Sequence, residues 1–210
     1  MKSKIYENLW TLEELTYLQS HFDSQLYTNT QEVNGVLWCK NKNLDYHVPD
    51  TPVYEIIRPK IQAILGDHEM ANGAYKESHF PYSTHVDGYY RPDFKENIID
   101  DHLNRDIAVL IPLVEGPHYN TVTFDCYDGA YEGMGEPFKS EWLSASNNLD
   151  LELFTHIRPE VRKDIPKLPL DKIYNWHLGS CFTWPRDQLH SSTDFAKHGL
   201  VKKFIVLFIA

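Results

Sequence analysis

Apolar residues recur at helical spacing early in the chain and at alternate positions later, and the change of period divides the sequence. Residues 11 to 24 place Leu12, Leu15, Leu18 and Phe22 three or four apart, which is the pattern of an amphipathic helix. Thr11 precedes the run and Glu14 stands three residues on, a capping box that satisfies two N–H groups a helix start would otherwise orphan. A second helix is predicted from Thr51-Pro52 to the residue before Gly66, with Ile56, Ile57, Ile61 and Ile64 toward the core. Pro59 is expected to bend or interrupt it. Between the helices, residues 33 to 40 alternate, with Val36 and Trp38 on one face and Leu37 and Cys39 on the other, as in a strand.

From about residue 68 the period becomes two. Strands are predicted over Glu69–Tyr75, Tyr82–Val86, Asp106–Val114, Asn120–Cys126, Ile173–Leu178, Ser180–Trp184 and Val201–Ile209, with another beginning at Leu189-His190. Several short strands separated by Gly and Pro predict a mostly β fold with flanking helices, a double-stranded β-helix or cupin-type jelly roll. The helices of about 11–65 are expected to cover the outer face of one sheet. Within Asp128 to Asp171 the glycines give way to a helical pattern over Asn148–Lys163, which Pro159 should break.

Composition narrows the class. A chain of 210 residues that is 42% hydrophobic makes one domain, 1–210, able to bury a core without disulfides. Cys39, Cys126 and Cys181 have no metal-binding spacing and sit beside apolar residues, as reduced, buried thiols do. There is no signal-peptide apolar region and no apolar run near membrane-spanning length, so a soluble cytoplasmic protein with no membrane partner is expected. The net charge of −10 disfavours a nucleic-acid partner and suits a neutral or basic peptide.

Candidate chemistry centres on His85-Val86-Asp87 in the segment from Ala74 to Tyr90. On or just past a strand, residues two apart project to the same face, so this imidazole and carboxylate can take adjacent positions on one metal ion. A second H-x-D, His21-Phe22-Asp23, falls in the helical pattern, where residues two apart diverge. A third ligand must come from elsewhere among the eleven histidines. His190, after a Pro turn, is preferred; His177 before Gly179 is its chief rival, and Pro81 breaks the continuity that would align His79 with His85. His47, His68, His102, His118, His156 and His198 read as surface or loop residues.

The segment from Gly179 to Ser192, G-S-C-F-T-W-P-R-D-Q-L-H-S-S, together with H-x-D upstream, resembles the 2-oxoglutarate- and Fe(II)-dependent oxygenases, particularly the prolyl 4-hydroxylase-like group. The resemblance covers about Ala74–Val114 and Gly179–Ala210. It implies that His85, Asp87 and His190 ligate iron, leaving a face open for co-substrate and dioxygen. It also implies a basic residue for the far carboxylate of 2-oxoglutarate. Here that is Lys202 or Lys203, a Lys where the family often has Arg. The two point to opposite faces of the last strand. Lys202 is favoured, and the other Lys should then lie near the sheet edge, since a buried unpaired ammonium is costly. Tyr75 and Tyr82, ten and three residues before His85, match tyrosines that line the co-substrate pocket in the group.

Only the ends of the chain match. The 105-residue gap between His85 and His190 exceeds the family's usual one, which implies an insertion at about 127–172 that could close the site, form a dimer contact or simply pack. Tyr89, Tyr90 and Arg91 fall in a long loop, read either as substrate contacts or as a solvated surface. The resemblance implies cofactors Fe(II), 2-oxoglutarate and dioxygen, release of succinate and CO2, and hydroxylation of a C–H bond of a peptide side chain or a small molecule. Asp87 argues against a halogenating relative, in which that position is vacant. The alternatives are a non-catalytic cupin-like metal-binding protein, against which the intact set of His85, Asp87, His190 and a downstream Lys weighs, and a zinc-dependent cupin, which gives Lys202 no role.

Overall fold

The computed structural model describes residues 2–68, 70–87, 107–127 and 137–209. The strands are β1 (Lys4–Tyr6), β2 (Asn29–Val33), β3 (Val36–Asn43), β4 (Met70–Ser78), β5 (Ile107–Pro112), β6 (Asn120–Tyr127), β7 (Leu170–Asn175), β8 (Cys181–Pro185), β9 (Gln188–Ser192) and β10 (Lys202–Ile209). The helices are α1 (Leu12–Ser24), α2 (Arg58–Leu65) and the single turn α3 (Pro159–Arg162). Seven strands form one sheet in the order β1-β8-β5-β10-β4-β3-β2, and three form a facing sheet in the order β7-β6-β9. All the pairings are antiparallel. This is the jelly roll that the alternation predicted.

Each sheet has its outer cover. Thr11 and Glu14 form the capping box at the start of α1, and Leu15, Leu18 and Phe22 are buried from it. Together with Val53, Ile57 and Ile61 they pack on Tyr75, Val109, Ile111, Ile205 and Leu207 of the larger sheet. Pro59 acts through hydrogen-bond spacing. Residues Val53–Ile57 form a π turn in which the Arg58 N–H reaches back five residues to the Val53 carbonyl, and Pro59 then stands in the first turn of α2, where no N–H is needed. The expected interruption is thus a widened turn that leaves the helical path continuous.

The region after β6 covers the other sheet. Val122, Phe124 and Cys126 alternate outward from β6 and meet Trp142, Phe154, Ile157, Val161, Ile165 and Leu168 in a second core. In place of the expected helix over Asn148–Lys163 there are a 3-10 turn at Leu151–Phe154 and α3 opened by Pro159. The described part of the insertion, from residue 137, therefore packs as a layer. Between the sheets lies a third core of Leu110, Tyr174, Trp176, Phe182, Phe195 and Phe204.

Three expectations about strands change. Tyr82–Val86 is not a strand; among these residues only His85 makes a β-bridge, to His190. The strand expected at Ile173–Leu178 runs Leu170–Asn175. The strand expected over residues 33 to 40 is divided by a turn at Asn34-Gly35 into the end of β2 and the start of β3; β1 and the rest of β2 carried too little apolar alternation to be read from sequence. β2 is exposed throughout and is held by a hairpin whose Asn34-Gly35 turn takes positive φ at both residues. No helix among the described residues is long and apolar enough to cross a membrane.

Candidate metal centre

The turn Pro185 to Asp187 brings β9 back beside the segment leaving β4, and two backbone hydrogen bonds lock the approach. His85 N–H donates to the His190 carbonyl and His190 N–H to the His85 carbonyl, each at 2.9 Å. The exchange places the two imidazoles side by side, with ring centroids 4.2 Å apart. Asp87 N–H donates to the Arg186 carbonyl at 2.8 Å, which holds the third residue against the same turn. One ligand atom from each of His85, Asp87 and His190 lies within 4.8 Å of the others. Asp87 Oδ1 is 3.7 Å from His85 Nε2, and Oδ2 is 3.5 Å from His190 Nε2.

The tautomers are set from behind. His85 Nδ1 lies 2.6 Å from the Ser83 carbonyl and His190 Nδ1 3.0 Å from the Gln188 carbonyl. A carbonyl only accepts, so each Nδ1 carries the proton and each Nε2 turns its lone pair toward Asp87. Burial and the neighbouring His190 hold His85 down to about 4, so it is neutral, as a ligand must be. Trp184 Nε1 donates to Asp87 Oδ2 at 3.2 Å and orients the carboxylate. Two neutral imidazole nitrogens and one carboxylate oxygen fit a divalent first-row metal such as Fe(II).

Beside the triad a cavity opens between the sheets, lined at one end by His85, Asp87 and His190 and elsewhere by Lys202, Trp176 and Phe195. Lys202 is buried. Its Nζ donates to the Asn120 carbonyl at 2.9 Å and to Ser192 Oγ at 2.7 Å, and it lies 4.3 Å from the Trp176 ring and 5.0 Å from the Phe195 ring. Burial pushes its ammonium well below the usual lysine range. Among the described residues it has no carboxylate partner.

The other sequence candidates divide. Tyr82 lines the cavity, with its ring 5.7 Å from that of His85. Tyr75 does not: strand alternation turns it to the helix side, where it stacks on Phe22 at 4.8 Å, fully buried. Lys203 likewise takes the helix-facing side of β10. It is half-buried at the start of a central strand, where the sequence reading expected a sheet edge. His177 pairs with Glu7 on the surface, away from the triad. His79 bonds Glu77 at 2.8 Å. His156, read as a surface or loop residue, sits in a turn and is half-buried; its Nε2 meets the Tyr82 carbonyl at 3.2 Å, its Nδ1 is buried, and burial lowers it to about 4. Tyr89, Tyr90 and Arg91 lie outside the described residues.

Sequence reasoning missed Trp184 as the Asp87 donor, Ser192 and Asn120 as the seat of Lys202, and Lys76 in the cavity wall. Lys76 was hidden by the reading of Tyr75: with Tyr75 placed in the co-substrate pocket, alternation along the strand turned its neighbour to the opposite side.

No protein-family model and no curated protein matches the chain. Solved structures do. The non-heme alpha ketoglutarate dependent epimerase SnoN from nogalamycin biosynthesis is similar over 99% of this chain and 78% of its own, with a TM-score of 0.59 and 10% identity. HygX from Streptomyces hygroscopicus, solved with nickel and 2-oxoglutarate bound, is similar over 100% and 82%, with a TM-score of 0.58 and 10% identity. A viral collagen prolyl hydroxylase from Paramecium Bursaria Chlorella virus-1 is similar over 100% and 96%, with a TM-score of 0.51 and 9% identity. At such identities the likeness is one of fold, and the fold this chain shares with them is the jelly roll.

Proposed function

We propose that this protein is a 2-oxoglutarate- and Fe(II)-dependent dioxygenase that hydroxylates a C–H bond of a peptide side chain or a small molecule, releasing succinate and CO2. The observation that carries the reading is the pairing, in one cavity, of a His-Asp-His triad with a buried ammonium that has no carboxylate partner among the described residues. A metal site alone would not require Lys202. A dicarboxylate co-substrate does, because it needs a fixed cation at its remote end. The cavity's small-molecule character is supported by neighbours whose bound compounds are 2-oxoglutarate, nogalamycin RO and hygromycin B.

His85 and His190 would hold the metal through Nε2 and Asp87 through its carboxylate. The bound iron, with 2-oxoglutarate, supplies the activation of dioxygen. The protein's own residues bind, orient and exclude water. The Ser83 and Gln188 carbonyls keep both imidazoles in the ligating tautomer. Trp184 fixes Asp87, and Lys202, braced by Asn120 and Ser192, receives the far carboxylate. Trp176 and Phe195 wall that ammonium from bulk water, which strengthens the ion pair it would make. Three buried thiols that form no disulfide support a cytoplasmic residence, since they suit a reducing compartment.

The test is anaerobic titration of the Fe(II)-loaded protein with 2-oxoglutarate, following the weak visible charge-transfer band of the chelate. A saturating band in the native protein that disappears in His190→Ala is the expected result. Iron bound in stoichiometric amount with no band would refute the oxygenase reading and leave a metal-binding cupin.

A further inference from the structure

The cavity is lined by a second lysine besides Lys202. Lys76 lines it from β4, with its Nζ 5.6 Å from the centre of the Tyr82 ring. Its chain neighbour Glu77 faces the other side of the sheet, where it is engaged with Tyr27, Lys40 and His79. Among the described residues Asp87 is the only acidic side chain lining the cavity. The formal charges then leave a remainder. A divalent metal ion, the Asp87 carboxylate, doubly charged 2-oxoglutarate and the Lys202 ammonium sum to zero, and Lys76 is left over.

Register shows where that charge leads. Lys76 pairs with Phe204 on one side and Asn41 on the other, and Asn41 pairs with Asn29. Directly paired residues project to the same face of a sheet. A polar row therefore runs from the cavity wall at Lys76 through Asn41, half-buried, to Asn29, exposed on the edge strand. Amide side chains both donate and accept, so this row can satisfy a hydrogen-bonding molecule that would leave an apolar wall wet.

We propose that Lys76 anchors the substrate, which carries a carboxylate that pairs with this ammonium while its polar remainder lies along Asn41 and Asn29. The division of labour between the two lysines rests on the oxygenase reading above. The local sign of the cavity departs from that of the chain as a whole. A net charge of −10 favours neutral or basic partners at long range, but within the cavity Lys76, unmatched among the described residues, sets the preference.

A matched pair of probes tests this: N-acetyl-glutamate N-methylamide and its glutamine counterpart, which differ by one carboxylate and carry no other charge. Binding is read from tryptophan fluorescence, since Trp176 and Trp184 line the cavity. The protein is loaded with Fe(II) and 2-oxoglutarate under anaerobic conditions. The acid should bind about tenfold more tightly than the amide, the size of one charge-assisted hydrogen bond. Lys76→Gln should erase that difference while leaving the 2-oxoglutarate midpoint within about threefold, again less than one such bond. Equal affinity for the two probes, or binding of neither, would overturn the proposal. So would a Lys76→Gln variant that loses 2-oxoglutarate as a Lys202 variant does, because Lys76 would then belong to the co-substrate. Repeating the probe titration without iron or 2-oxoglutarate separates the two readings. An acid preference that persists in a protein giving no chelate band supports the carboxylate seat and refutes the oxygenase.

Discussion

Lys202→Met separates binding from stability, because the two should move in opposite directions. The native ammonium is buried between two aromatic rings with two neutral acceptors and no carboxylate among the described residues. Met keeps most of the length and removes the charge. The acceptors survive the change: the Asn120 carbonyl still receives the Thr193 N–H at 3.2 Å, and Ser192 Oγ still donates to the Thr193 carbonyl. Relief of an uncompensated buried charge by an apolar side chain is worth about 1–3 kcal/mol. For a chain of this size that raises the melting temperature of the metal-free protein by roughly 2–12 °C.

The sign of the pH dependence follows from the depressed lysine. Between its folded and unfolded pKa values the unfolded chain binds more protons, so stability of the native protein rises with pH. Below the folded value the penalty is complete. The advantage of Lys202→Met should therefore be greatest near neutrality and shrink toward pH 10, close to the unfolded lysine value. Binding should go the other way. Removing one partner of a buried charge pair costs about 2–5 kcal/mol, so 2-oxoglutarate should bind at least roughly 30-fold more weakly. Thermal melts from pH 6 to 10, with and without 2-oxoglutarate, check both arms. A variant that is less stable than the native protein, or one still stabilised by 2-oxoglutarate to the native extent, would refute the reasoning.

Trp184→Phe removes the hydrogen bond to Asp87 Oδ2 and should weaken metal affinity by about 10- to 100-fold without unfolding the chain, as measured by competition with a chromophoric chelator. Tyr75→Phe should leave 2-oxoglutarate affinity unchanged, because the hydroxyl lies on the helix side near Gln19; a large loss in the anaerobic titration would contradict that placement. His85 and His156 are both held down to about 4. The unfolded chain thus binds more protons between about pH 6.5 and 4, and the metal-free fold should lose stability as pH falls through that window. His156→Gln should flatten this loss, and an unchanged acid-unfolding profile would count against it.

The triad was legible because metal chemistry restricts residue types and strand alternation restricts spacing. H-x-D before Gly88 and L-H-S-S after Pro185 needed no knowledge of their separation. Parity along β10 let only one of Lys202 and Lys203 face inward but did not say which, since both faces are apolar; the favoured Lys202 is the one that lines the cavity, with Phe204 and Val206. Tyr75 was misplaced by the same parity. Its offset from His85 was read as a family position, whereas the chain turns at residues 79–84 and breaks any count made along one strand.

Helix α1 was legible in full, since its cap and its apolar stripe are local. β1 and β2 were not, because their order comes from partners far away in sequence. Ser3 beside β1 is tied to Asp171 and Thr123, and β2 is ordered by its pairing with β3. The role of the insertion also needed the fold. Its apolar residues are spaced for short turns, and only the exposed outer face of β6 explains what they cover.

What the sequence determined, then, was the set of candidate metal-ligating groups and the two-sheet architecture, because both depend on residue type and on periods of two to four residues. What the tertiary structure decided was which groups share a space. The reciprocal hydrogen bonds between His85 and His190, the carbonyls behind each imidazole, the Trp184 contact with Asp87 and the meeting of Lys202 with Asn120 and Ser192 join segments from different strands. No local pattern encodes such contacts. They arise when apolar burial on both faces of both sheets fixes the register, and the register brings distant polar groups within bonding distance.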